Sequence, residues 1–203
     1  MARAQQAAPY DLETIAQIII SILAGYETTS TALSFLSYNL ATHPDVPWKL
    51  QQEIDTLLPN KAPPSYDALM QMEYLEMAIN KTLGMHPPGG QLERICKKTV
   101  EVNGVTISEG VIVMIPLYLI HWDPEYWSDL DEFNPDRYHS HMKGARPYTF
   151  LPFGSVPRNC IGMRFALLSL KIPLELDTRG LIKNKTPIYL KLVTRTPELV
   201  EDK

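Results

Sequence analysis

Leu12, Ile15, Ile19, Ile22 and Leu23 recur at the spacing of one face of an α-helix, and from Asp11 to Leu40 no proline interrupts the rhythm. A helix of that length is a rod roughly 45 Å long. It would cross an entire domain, so every other element has to be arranged around it. Gly25 is the one interior break, and the density of apolar residues predicts a helix that is largely buried.

Downstream, Thr42-His43-Pro44-Asp45 is a helix-start signal, and Leu50, Ile54, Leu57 and Leu58 form the inner face of a second helix ending near Pro59-Asn60. Lys61 to Pro64 reads as a linker, and Ser65 can cap a short helix. Met72, Leu75, Ala78, Ile79, Thr82 and Leu83 then supply another amphipathic face, with Gly84 and Pro87 as its terminators. The pattern changes at Leu92. Val100 and Val102 alternate with polar neighbours, Asn103-Gly104 is a favoured two-residue turn, and Val105 and Ile107 alternate again, which predicts a β-hairpin. Val111 to Pro116 is expected to be a further strand on the same small sheet. His121 to Pro157, rich in proline, aspartate and aromatics, reads as a long, irregular but packed segment. A helix resumes after Cys160 and runs through Leu170 until Pro173 halts it, with strand-like pieces around Ile188 to Val193. The expected class is therefore α+β, mainly α, and residues 1–203 are expected to form one unit.

Composition narrows the function. A formal net charge of -4 leaves no basic stripe for phosphates, so nucleic acid is not an expected partner. Cys96 and Cys160 are the only cysteines, which excludes a disulfide framework and a cysteine-rich zinc site and suits a reducing compartment. The longest apolar runs, Ile15 to Gly25 and Val111 to Ile120, fall short of the roughly 20 residues of a membrane span, and Met1 to Pro9 shows no signal-peptide pattern.

Two short segments carry chemistry. Phe153-Gly154-Ser155-Val156-Pro157-Arg158-Asn159-Cys160-Ile161-Gly162 places a thiol behind a proline- and glycine-containing turn and at the first turn of a helix. Unpaired amides, the positive helix end and Arg158 favour its thiolate, and Gly162 lets a flat ligand come close. A buried, inert cysteine is the alternative. A phosphatase loop would need arginine where Ala166 stands, and a thiol-redox centre would need a resolving cysteine nearby. In the long helix, Ala24-Gly25-Tyr26-Glu27-Thr28-Thr29 puts small residues Ala24 and Thr28 on one face, with room for a planar group, and offers Thr28 as a proton donor fed by Glu27. Alternatively Thr28 bonds back to the preceding turn and Glu27 faces solvent.

The cysteine segment resembles the F-x-x-G-x-R-x-C-x-G loop of the cytochrome P-450 family, and Ala24 to Thr29 resembles that family's A-G-x-E/D-T-T/S central helix. The wider context of Ala24 to Pro44, and Leu92-Glu93-Arg94-Ile95-Cys96-Lys97-Lys98, are similar to its 3A subfamily. The resemblance covers nearly the whole chain but only the C-terminal portion of the family. It implies a long central helix, a small β-sheet, and a cysteine loop with its following helix around a haem whose iron is bound by Cys160. It further implies haem contacts from Ala24, Phe153, Gly162 and, at the propionates, Arg94 and Arg158, with Thr28 and Glu27 serving oxygen activation. The implied activity is monooxygenation of lipophilic steroid- or xenobiotic-type molecules with O₂ and electrons from NADPH through a reductase. The implied place is the cytosolic face of the endoplasmic reticulum membrane, although the family's anchor has no counterpart here. Three departures stand out. Val156 replaces a glycine, and Lys81 and Gly84 replace both defining residues of the family's E-x-x-R motif, which would otherwise join Arg137 of Pro135-Asp136-Arg137-Tyr138 in a buried charge network. The third is a missing stretch after Lys171. A second reading therefore stands beside the first, a non-catalytic family member with weak haem binding or none.

Overall fold

A computed structural model of the chain describes residues 11–136 and 146–172. The expectations for Met1 to Pro9, Arg137, Pro173 and the strand-like pieces at Ile188 to Val193 lie outside the described residues. About the described chain the class is as expected: helices dominate, with a small antiparallel β component.

Helix α1 spans Leu12–Thr42 without a break, its first turn closed by Asp11, whose carboxylate accepts the Thr14 N–H at 2.8 Å. The expectation of a largely buried helix is corrected. Ile18, Ile19, Ile22 and Leu23 are 50–64% exposed, and burial begins only at Ala32, Leu36 and Asn39. Periodicity predicted the helix correctly, but the second half alone meets the core, against α2 (Asp45–Leu57), α4 (Glu73–Met85) and α6 (Met163–Lys171). By length and composition α1 is also sufficient to cross a membrane, its best window reaching a mean hydropathy of 1.2. The unbroken apolar run had fallen short of that. A core helix satisfies the same criterion, and the half beyond Ala32 is one.

The core joins Ala32 and Leu36 to Val46 and Leu50 of α2, Ala78, Ile79 and Leu83 of α4, Phe133, and Leu170 of α6. Two of its buried polar side chains pair with each other: the Asn39 amide donates to the Thr82 hydroxyl at 3.3 Å, which donates to the Ala78 carbonyl at 2.9 Å. Met72 offers α4 no side-chain cap. Instead the Glu53 carboxylate of α2 accepts the Tyr74 and Leu75 amides at 2.7 and 3.0 Å, fixing the two helices end to side. At the other end of the core, Lys171 is 4% exposed and its ammonium meets the Glu76 carboxylate at 2.6 Å. Ser65 caps α3 (Tyr66–Met70) as expected. Gly84 does not end α4, which runs one residue further to Met85.

The hairpin of β2 (Val100–Val102) and β3 (Val105–Ile107) turns at Asn103 and Gly104, both with positive φ. The strand expected after it is present as β4 (Ile112–Ile115), but it does not join that hairpin. It pairs antiparallel with β1 (Leu92–Ile95), forming a second two-stranded sheet. Strand β1 was not foreseen, because Leu-Glu-Arg-Ile has no period-two alternation and its partner lies far along the chain. Beyond β4, α5 (Leu117–His121) leads into the irregular aromatic segment, anchored where the Trp122 indole donates to the Met85 carbonyl at 3.0 Å.

Candidate functional site

The cysteine loop is a closed turn. The Gly154 amide donates to the Leu151 carbonyl at 3.0 Å, Arg158 to Ser155 at 3.0 Å, and Cys160 to Phe153 at 2.8 Å. Gly154 takes φ +74, and a Cβ there would stand 3.6 Å from the Arg158 carbonyl, so this is the position that requires glycine. Val156 has no left-handed φ and the residue is 80% exposed, so the branched side chain sits in the turn without steric conflict. Gly162 is the N-cap of α6, and a Cβ on it would lie 4.0 Å from the Cys160 sulfur, so its absence keeps the space beside the thiol open.

Cys160 faces an apolar slot of about 280 Å³. Phe153, Gly154 and Arg158 line it from the cysteine loop, Ala166 and Leu170 from α6, Thr28, Thr29 and Ala32 from α1, and Leu83 from α4. Pro88, Gly89, Leu92, Leu117 and Pro152 complete the wall. The two segments singled out in the sequence thus meet across one cavity, although Thr28 and Cys160 are separated by most of the chain. Both are exposed, so the slot is open along one side. Four sequence candidates do not line it. Ala24 and Glu27 lie toward the exposed half of α1, Gly162 is the N-cap of α6 beside the sulfur, and Arg94 on β1 donates to the Glu93 carbonyl at 2.8 Å. The Thr28 hydroxyl donates back to the Ala24 carbonyl at 2.7 Å, the local bond that competed with its functional reading. Sequence reasoning missed Pro88, Gly89, Leu92 and Leu117. The Pro87-Pro88-Gly89-Gly90 run, a forced departure from helix, was the signal that could have found two of them.

The donor set decides what could be held here. Both cysteines are free, and among the described residues no group of three or more His, Cys, Asp or Glu side chains converges. A metal in this slot would therefore depend on one sulfur and have to bring its other ligands with it, inside a flat carrier. An apolar, open-sided slot with one thiol beneath and small residues Thr28 and Ala32 above suits such a carrier.

The Cytochrome P450 family pattern matches residues 2–176. The chain is 51% identical to Cytochrome P450 3A19 of Capra hircus aegagrus, over 92% of this chain and 94% of that one. It is 53% identical to Cytochrome P450 3A5 of Homo sapiens and 52% identical to Cytochrome P450 3A11 of Mus musculus, in each case over 91% of this chain and 41% of the relative. The chain belongs to the cytochrome P450 family, and it spans about 41% of the length of the longer relatives it matches.

Proposed function

We propose that residues 1–203 form the haem-binding portion of a monooxygenase acting on lipophilic molecules of the steroid or xenobiotic type. The observation that supports it is the single cavity onto which Cys160, Arg158 and Phe153 converge from one side and Thr28 from the other. In this reading Cys160 binds haem iron as thiolate, Phe153 packs on the porphyrin, and Arg158 with Arg94 holds its propionates. Bound there, haem supplies the oxygen-activating iron, whose thiolate ligand favours O–O cleavage. Thr28 and Glu27 handle protons. The Thr28 hydroxyl, released from the Ala24 carbonyl, donates its proton into the slot, and the exposed Glu27 carboxylate returns one through water. O₂, NADPH-derived electrons from a reductase, and the cytosolic face of the endoplasmic reticulum membrane belong to the same proposal.

One observation favours the second reading, a family member without turnover. Gly84 and Lys81 leave a hollow beside Phe150 where the family carries a charged pair. The test is the spectrum of the reduced, haem-reconstituted chain with carbon monoxide. The first reading expects the red-shifted band of thiolate ligation, lost in Cys160→Ala. If porphyrin uptake and spectrum survive that replacement, the site is wrong. If the band is absent in the native chain but restored by Lys81→Glu with Gly84→Arg, the second reading holds and the site stands.

A further inference from the structure

The tip of the β2–β3 hairpin holds the chain's one Asn-Gly dipeptide, Asn103-Gly104, and both residues are exposed. They alone join Val102 to Val105, and both have positive φ, 49° and 80°, the tight turn that favours this pair. Among the described residues neither the Asn103 carboxamide nor the Gly104 N–H has a hydrogen-bond partner. Nothing shields the glycine, since a Cβ there would meet no atom within 4 Å. The Gly104 nitrogen is therefore free to reach the Asn103 side-chain carbonyl carbon once the turn opens.

Opening it requires little. Strands β2 and β3 pair over three residues each, and Val100, Val102 and Val105 are 47–63% exposed, so the hairpin can come apart without disturbing the core. The other described asparagines are held, or lack the nucleophile. Asn39 is 2% exposed and bonded to Thr82, and Asn134 precedes Pro135, which has no N–H. After Asn159 the Cys160 amide is already donated to the Phe153 carbonyl, and Asn60 and Asn80 sit in helical turns that fix their backbones.

We propose that Asn103 is a site of spontaneous covalent modification, deamidation through a cyclic imide. In the opened turn the deprotonated Gly104 nitrogen attacks the Asn103 Cγ; a C–N bond forms, ammonia leaves, and a succinimide results. Water then opens that ring at either carbonyl, giving an aspartate or, with the main chain rerouted through the side-chain carbon, an isoaspartate. One water is consumed and one ammonia released, and nothing is oxidised or reduced. Either product adds a negative charge to a chain whose formal net charge is -4. The isoaspartate also adds a backbone carbon to a two-residue turn, so the register of Val102 with Val105 no longer closes. The full chain is held at mildly alkaline pH, sampled over time, and read by peptide mapping with mass spectrometry and by ion exchange. Isoaspartate and aspartate are expected at position 103 ahead of the other described asparagines, at a rate within about thirtyfold of a free peptide of residues 100–107. A more acidic species is expected to accumulate in step, and to be absent in Asn103→Gln, where ring closure is disfavoured. Retardation beyond about thirtyfold, which would show the fold protecting the turn, overturns the proposal. So does earlier conversion at another described asparagine, or an acidic species forming as fast in Asn103→Gln.

Discussion

Burial beside the Phe150 ring pushes the His121 pKa down to about 4, against 6.5 for an exposed imidazole. The folded chain therefore prefers the neutral ring, and between those two values the unfolded chain binds a proton that the folded one does not. Stability contributed this way is complete above pH 6.5, falls as the pH drops toward 4, and falls no further below it. The loss is on the order of 3 kcal/mol. Urea unfolding across that range checks it, and the difference between the native chain and His121→Gln isolates it; a slope unchanged by the replacement assigns the effect elsewhere. Gly25 makes the opposite case. It lies inside α1 with nothing within 4 Å of where a Cβ would be, so Gly25→Ala is expected to stabilise the chain by about 0.5–1 kcal/mol. An unfolding curve that does not shift to higher denaturant would show that the glycine serves some purpose other than helix geometry.

Between elements, the joints are charged. Glu53 satisfies two of the amides that open α4, so Glu53→Ala is expected to cost about 1–2 kcal/mol, whereas an exposed glutamate of α2 changed in the same way costs little. The Lys171 to Glu76 pair behaves asymmetrically. Its ammonium side chain is 3% exposed and its carboxylate 46%, so removing the acid strands a buried cation. Glu76→Gln is expected to cost about 1–3 kcal/mol, and Lys171→Met to be near neutral; equal losses in the two variants would disprove this ordering. These joints also mark the limit of what was legible in the chain. Local order announced itself: α1, α2, α4 and α6 through their apolar spacing, the hairpin through Asn103-Gly104, the cysteine loop and Thr28 through short motifs. Pairings over long separations did not. Nothing in Leu92 to Ile95 names Ile112 to Ile115 as partner, and neither Glu53 nor Lys171 carries a local mark of its role. The slot was legible only in its two motif-bearing walls, because Pro88, Gly89, Leu92 and Leu117 reach it through topology.

Taken whole, the molecule is unevenly wrapped. Ile15, Ile18, Ile19, Ile22 and Leu23 form an exposed apolar stripe on α1, and contiguous stripes of this kind drive association in water. Light scattering of the purified chain is expected to show self-association that Ile19→Lys with Ile22→Lys relieves; a monodisperse monomer before substitution would refute it. One helix thus has two unlike halves, a beam clamped at one end and free at the other. Its backbone hydrogen bonds are equal in geometry but unequal in shelter, so solvent deuterium should enter from the Leu12 end first. Amides from Ile15 to Leu23 are expected to exchange by local fraying, and those from Leu36 to Leu40 only when the core itself opens, a gradient along a single continuous element that amide exchange measured by mass spectrometry would trace residue by residue.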